Sequence, residues 1–77
     1  MAQGESSEML STVFYVGWFY IQPVRDYLND LIDNKGWPIR YEESVRIFEN
    51  KFVVYGTQRD IMYIHQKIQY YFENFTF

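Results

Sequence analysis

The first apolar segment of the chain predicts a β-strand. Residues 11–21 are rich in β-branched and aromatic side chains and contain almost no residue that favours a helix. Both alternating sets of side chains are apolar, whereas a strand with one exposed face alternates apolar and polar residues. We therefore expect this strand in the middle of a sheet, because at an edge it would promote aggregation.

A helix is predicted next. From Val24 onward, apolar residues recur at the spacing i, i+3, i+4, i+7 and i+8, which places them on one helical face. Pro23 is tolerated in a first helical turn, and Gly36 is a typical helix stop. The pattern predicts a helix over residues 23–35.

Two further apolar segments predict a hairpin. Residues 39–48 alternate, with Val45 and Ile47 on one face and more polar residues on the other, which is typical of a strand near an edge. Residues 49–51 suit a tight turn. Residues 52–56 then form a short apolar strand that completes the hairpin.

The last segment predicts a second helix, over residues 57–74. Thr57 and Asp60 resemble a capping box, and a helical stripe of isoleucines and aromatic residues follows them. Residues 75–77 either end this helix or add a short piece of strand.

The element order β-α-β-β-α predicts a two-layer α+β sandwich. A right-handed crossover places the first two strands parallel with a gap between them, and the third strand fits that gap antiparallel to both. The sheet order is then 1-3-2, with two helices on one face. This plan resembles the ferredoxin-like fold without a full fourth strand. We expect residues 1–10 to be a flexible polar tail and residues 11–77 to form one domain.

Charge and composition argue against several classes of function. Seven Lys and Arg residues against ten Asp and Glu residues give a net charge of -3, and the basic residues are scattered singly. Proteins that bind a nucleic-acid duplex need clustered basic residues, so the charge pattern argues against a nucleic-acid partner. The chain has no cysteine, which excludes disulfides and thiol catalysis. The longest uncharged stretch, residues 9–24, is too short to span a membrane, and the N-terminus does not resemble a signal peptide. We expect a cytoplasmic protein with no membrane partner.

No catalytic or ligand-binding motif stands out. His65 is the only histidine, and we interpret it as structural because no nucleophile or further ligand accompanies it at helical spacing. Glu42 and Glu43 are consecutive in a predicted strand, so their side chains point to opposite faces and do not form an acid–base pair. There is no glycine-rich phosphate loop. We expect no enzymatic activity, no cofactor and no metal.

Three aspartates share one side of the first predicted helix. Asp26, Asp30 and Asp33 follow the spacing i, i+4 and i+7. A solvated helix face is the simpler interpretation. The functional interpretation is an acidic stripe that guides the approach of a basic partner or mimics the phosphates of a nucleic acid.

The aromatic content is the most informative feature. Tyr, Phe and Trp make up 22% of the chain, more than one helix-covered sheet face can absorb. If Val45 and Ile47 face the helices, the open face of the sheet is rich in aromatic residues and arginine, which is typical of an interface core. The residues predicted to bind a partner there are Phe14, Trp18, Tyr20, Arg46, Phe48 and Tyr55. The alternative is that these aromatics only fill a small core.

These features favour a small protein-binding module. It would form a homodimer through the open sheet face or dock there on a larger target. The low Ala and Leu content suits a phage or mobile-element gene, which suggests an inhibitor of a host defence protein. One alternative is single-stranded nucleic-acid binding by sheet aromatics, which the charge opposes. A weaker alternative is a regulatory module for a small ligand.

Overall fold

The computed structural model describes residues 9–74. Its elements are β1 (Leu10–Gly17), a 3-10 turn (Trp18–Tyr20), α1 (Ile21–Asp33), β2 (Arg40–Val45), β3 (Glu49–Gly56) and α2 (Gln58–Asn74). Most of the predicted polar tail lies outside the described residues, and so do residues 75–77, for which the sequence predicts a helix end or a short piece of strand. Between residues 9 and 74, no helix has the length and apolar character needed to cross a membrane.

The sheet has the predicted strand order, β1-β3-β2, and both neighbouring pairs are antiparallel. The pairing of β1 with β3 runs from Leu10 opposite Gly56 to Gly17 opposite Glu49. Both helices pack on one face of this sheet. The predicted α+β fold is therefore confirmed, while the closer comparison with the ferredoxin-like fold stays a prediction.

The strands end at other positions than predicted. β1 ends at Gly17, four residues early, because the chain turns into the 3-10 helix that leads to α1. The hairpin turn lies at residues 46–48, three residues earlier than predicted, and the Arg46 N–H donates to the Glu49 carbonyl over 3.0 Å. Because β3 begins at Glu49, it is long enough to pair with all of β1.

β1 lies at an edge of the sheet, so the expectation that it lies in the middle is wrong. The central position belongs to β3. Phe14 and Val16 point toward the helices and are buried, whereas Val13 and Tyr15 point to the open face and are 42% and 52% exposed. Phe14 is thus a core residue, and its predicted place on the open face is also wrong.

The core fills the space between the sheet and the two helices. Its buried apolar residues are Phe14, Val16, Val24, Leu28, Leu31, Ile39, Phe52, Val54, Ile61, Ile64 and Ile68. The residues from α1 and α2 in this set lie at the spacing that the sequence predicts for one helical face. Hydrophobic periodicity therefore identified the buried face of both helices.

Two local signals end α1 and begin α2. Gly36 adopts a left-handed φ of 67°, and the N–H of Trp37 donates to the Leu31 carbonyl over 2.9 Å, which turns the chain out of the helix. At the start of α2, the Thr57 hydroxyl accepts a hydrogen bond from the N–H of Asp60 over 3.3 Å. This contact satisfies one of the backbone donors that a helix leaves free at its N-terminus.

Leu28→Ala should destabilise the fold severely. Leu28 is fully buried, and truncating a buried leucine costs about 2–5 kcal/mol, a large part of the roughly 5 kcal/mol available to a domain of this size. Urea denaturation followed by circular dichroism measures the loss. Val45→Ala is the matched control, because Val45 is 83% exposed and should leave the midpoint unchanged. Equal midpoints for the wild type and Leu28→Ala would contradict the packing of α1.

Candidate functional site

The most exposed large apolar side chains lie at one end of the sheet. Gly17 opposes Glu49, so the 3-10 turn after β1 and the hairpin turn before β3 are neighbours. Five side chains there are each at least 75% exposed, and we call them the apolar tip: Trp18, Phe19, Val45, Ile47 and Phe48. Single exposed apolar residues are common on protein surfaces, but a group of five at one place is not.

A groove of about 490 Å³ runs through the apolar tip. Trp18 lines it from the 3-10 turn, Val45, Ile47 and Phe48 line it from the hairpin, and Ile21 lines it from α1. The groove is therefore shared by two segments that are distant in sequence. It is mainly apolar, so it favours an apolar occupant over a charged one.

Tyr20 anchors the 3-10 turn to α2. Its ring lies 5.8 Å from the ring of Tyr71 and 5.7 Å from that of Phe72, in edge-on geometry. The neighbouring rings of Trp18 and Phe19 lie outside the core, 5.5 Å from each other. Tyr20 thus belongs to the helix layer, and the prediction that placed it on the open sheet face is wrong.

A polar network attaches the hairpin to α1. Arg25 of α1 donates two hydrogen bonds to the carboxylate of Glu43 in β2, from Nε to Oε1 over 3.0 Å and from Nη2 to Oε2 over 2.6 Å. The side-chain amide of Asn50 in β3 donates to the same carboxylate. Paired hydrogen bonds between charged groups fix both distance and orientation. The two strands that carry the hairpin are therefore held in one position relative to α1.

The donors around Glu43 lower its pKa below the ordinary value. The hydrogen bond from Arg25 is the main cause, partial burial acts in the opposite direction, and the hydrogen bond from Asn50 lowers the pKa further. The contact also raises the pKa of Arg25. Both partners are therefore charged at neutral pH, and the network is intact there.

Arg46 is the basic residue of the hairpin turn. Its guanidinium lies 5.5 Å from the centre of the Tyr15 ring, in the geometry of a cation–π contact. Tyr15 is on the open face of β1, so Arg46 connects the apolar tip with that face. The arginine places a positive charge beside an otherwise apolar surface.

The open face of the sheet is more polar than predicted. Val13 and Val53 occupy its middle, but Arg40 and Glu42 of β2 form one of its sides. The guanidinium of Arg40 lies 4.4 Å from the centre of the Tyr55 ring, and the Tyr55 hydroxyl donates to Glu42 over 3.2 Å. Tyr55 lies at the end of the sheet away from the apolar tip. The grouping of Tyr55 with Trp18 and Phe48 is therefore wrong.

Sequence reasoning found part of the apolar tip. It selected Trp18 and Phe48 as partner-binding residues, but their predicted place on the open sheet face is wrong, because both lie in turns at the end of the sheet. It missed Phe19 and expected Val45 and Ile47 to face the helices. Val45 lies on the same side of β2 as Glu43 but beyond the cover of the helices, and Ile47 lies in the turn. A length argument would have found the missing residues, because a predicted strand over 11–21 is too long to pair with one over 52–56.

The three aspartates of α1 do not form one acidic surface. Asp26 and Asp30 line a groove of about 620 Å³ between the helices, which Lys35 and Lys67 also line. Asp30 lies 3.8 Å from Lys35. Asp33 is exposed and does not line this groove. Because both signs of charge meet there, the groove offers no purely acidic stripe to a partner.

His65 is exposed on α2 next to β1. Its Nδ1 lies 3.3 Å from the Thr12 hydroxyl, and its ring centre lies 5.6 Å from that of Phe14. Over residues 9–74, no three His, Asp or Glu side chains come together as a metal site would require. The neighbours of His65 are thus a hydroxyl and an aromatic ring of the adjacent strand.

Comparison with known proteins gave no match to this chain. No protein-family model fits it, and it matches neither a curated protein nor a solved structure. The apolar tip is therefore interpreted from its own geometry and chemistry.

Glu43→Gln should destabilise the protein at neutral pH and reduce its sensitivity to acid. Because folding lowers the pKa of Glu43, the ionised group contributes stability above the ordinary pKa of 4.5. That contribution is lost as the pH falls through the lower pKa of the folded state. The free energy of unfolding, measured in urea at about pH 7 and about pH 3, should therefore differ less between wild type and variant in acid.

Glu42→Gln is the control for this titration. Its carboxylate is adjacent in sequence but points to the open face, where its side chain is 61% exposed. We expect a much smaller effect at either pH. Parallel stability curves for the wild type and Glu43→Gln would contradict the role of the Arg25 contact.

Proposed function

We propose that the protein is a non-enzymatic protein-binding module that contacts its target through the apolar tip. The observation that carries this proposal is the cluster of five large apolar side chains, each at least 75% exposed, at one end of a small fold. Exposing them to water is unfavourable, and burying them in a complex removes that cost. A binding surface is the function that best accounts for this arrangement.

The side chains of the apolar tip suit the centre of an interface. Tryptophan and arginine are enriched among the residues that contribute most to binding, and such residues insert into pockets on the partner. Trp18 and Phe48 are the natural anchors, because they project from the two sides of the same groove. Arg46 adds a donor of hydrogen bonds at their side. The matching surface on a target is an apolar pocket with an acceptor at its rim.

The apolar tip is supported on both sides. Tyr20 packs against α2 and holds the 3-10 turn, while the Arg25–Glu43 contact holds the hairpin. A surface that is already ordered loses little conformational entropy on binding. This support favours recognition of a folded target. An inhibitor of a host protein, which the composition suggests, would act by covering part of its target in this way.

The double variant Trp18→Ser/Phe48→Ser should abolish target binding without unfolding the protein. Both side chains are at least 75% exposed, so their loss removes no core contact. Losing a central anchor costs about 2 kcal/mol or more, so affinity should fall by at least about 30-fold. Affinity capture with tagged wild type and variant, quantified by mass spectrometry, identifies any protein that depends on the apolar tip. Titration calorimetry then measures the affinity.

Tyr70→Ser is the matched control for this experiment. Tyr70 is an aromatic residue on α2, 55% exposed and outside the apolar tip. The control should capture the same protein as the wild type. A target that binds the tip variant and the wild type equally well would overturn the proposed surface. The same holds if no protein is captured by both the wild type and Tyr70→Ser but lost with the tip variant.

Single-stranded nucleic-acid binding on the open sheet face is a second candidate function. Tyr15 and Tyr55 present their rings on this face, and an arginine lies over each ring. Aromatic and arginine side chains are the groups on which unpaired bases stack. However, the two rings lie near opposite ends of the sheet, about 13 Å apart along the strands, so they do not form one continuous stacking surface. The net charge of -3 also opposes this function.

Fluorescence anisotropy with labelled single-stranded DNA and RNA at low salt tests the second candidate. If the open face binds bases, Tyr15→Ala/Tyr55→Ala should weaken binding by at least about tenfold, because each stacked base contributes about 1–3 kcal/mol. The tip variant Trp18→Ser/Phe48→Ser should then bind normally. Absence of binding by the wild type at micromolar concentration rejects this candidate.

A further inference from the structure

The outer edge of β1 lacks the usual protection of an edge strand. β1 pairs with β3 on one side, and among residues 9–74 no strand lies on its other side. Edge strands expose unpaired backbone N–H and C=O groups, and proteins usually protect them with charges, proline or a bulge. Residues Leu10–Gly17 contain no charged residue and no proline, and their pairing with β3 is continuous. Within residues 9–74, the edge is therefore open to another strand.

The opposite edge of the sheet is protected. β2 carries Arg40, Glu42 and Glu43 within six residues. Arg40 and Glu42 lie 3.6 Å apart on the open face, and Glu43 is engaged by Arg25 on the other face. A strand added beside β2 would have to accommodate these charges. The two edges of the sheet thus differ in whether charged side chains oppose pairing with another strand.

One stripe of exposed side chains on α2 lies beside β1. Met62, His65, Gln66 and Gln69 follow the spacing i, i+3, i+4 and i+7, so they form one stripe on α2. All four are exposed. His65 lies next to Thr12 of β1, so the stripe runs beside the strand. We call the strand and these four side chains together the flank of β1; none of its residues is Asp, Glu, Lys or Arg.

We propose that two copies of this chain pair their β1 strands antiparallel about a two-fold axis. The two three-stranded sheets then form one six-stranded sheet. This inference goes beyond the proposed function, because it uses a different surface and a different partner. A two-fold axis brings the same surface of both copies together, so charged residues close to the axis would face their own copies and repel each other. The residues named for the flank of β1 include no Asp, Glu, Lys or Arg, which makes this surface compatible with a second copy.

The size of the flank agrees with a dimer of moderate affinity. A strand of eight residues is about 26 Å long, and a sheet with one layer of helices is about 20 Å thick. The flank therefore measures about 500 Å² per copy, and a symmetric pair would bury about 1,000 Å², near the lower limit for a specific interface. We expect a dissociation constant in the micromolar range, with dimer and monomer both present in a dilution series.

Val13→Lys and Val53→Lys form a matched pair of variants for this proposal. The two valines oppose each other on the open face, but Val13 is on the edge strand and Val53 is on the central strand. Sedimentation velocity over about 10–500 µM, chosen around the expected dissociation constant, measures the association. Val13→Lys should raise the dissociation constant at least about tenfold, because lysine on an edge strand opposes pairing. Val53→Lys should dimerise like the wild type.

Hydrogen exchange gives a second measurement that does not need a variant. In a strand, the N–H groups of alternate residues point to opposite sides. The β1 amides that point away from β3 should exchange more slowly at high protein concentration than at low concentration. The outward amides of β2 should exchange at the same rate at both. Because it uses the wild type, hydrogen exchange still tests the proposal if Val13→Lys fails to fold.

Several outcomes would overturn the pairing of β1 edges. A protein that is monomeric at all concentrations would contradict the proposal. Outward β1 amides that are protected in this monomer would indicate that residues of the same chain outside 9–74 cover the edge. Loss of the dimer in both lysine variants would indicate packing of open faces instead. Loss of the dimer in Trp18→Ser/Phe48→Ser alone would indicate association through the apolar tip. Val13→Lys leaves the apolar tip unchanged. Target capture with this variant therefore tests the proposed function separately from the pairing of the β1 edges.

Discussion

The burial of one sheet face beneath two helices is the interaction on which the whole structure depends. Phe52 of the central strand, Leu28 of α1 and Ile64 of α2 are fully buried where the two layers meet. The sequence contains no cysteine and so no disulfide, and residues 9–74 share one hydrophobic core. One apolar layer therefore supplies most of the stability, and the two helices that cover it set the limits of what else is buried.

The apolar tip is a consequence of those limits. On β2, the helices cover the sheet as far as Glu43, whose contact with Arg25 marks the boundary. Beyond that boundary, the hairpin and the 3-10 turn carry large apolar side chains that no element of residues 9–74 covers. The polar contact and the packing of Tyr20 on α2 fix this end of the molecule in place. A small, well-supported core and an exposed apolar end are thus two results of the same arrangement.

The two proposed surfaces recognise partners by different chemistry. The apolar tip offers side chains that enter a pocket, whereas the edge of β1 offers backbone hydrogen bonds. They are also compatible in space. β1 ends at the apolar tip, so an antiparallel pair of β1 strands would place the two tips at opposite ends of the joined sheet. Such a dimer would present two binding ends to separate targets, or to one target with two sites.

The order of elements, the sheet order and the buried faces of both helices followed from the sequence alone. Helical periodicity identifies Leu28 and Ile64 without knowledge of their neighbours, and connection rules restrict the sheet order. The tertiary structure decided which face of β1 is covered, where that strand ends and that Val45 is exposed. Both alternating sets of side chains in β1 are apolar, so the alternation does not indicate which set faces the helices. Which side chains of β1 are covered depends on its pairing register with β3 and on how far the two helices extend over the sheet. No local sequence pattern specifies either of these.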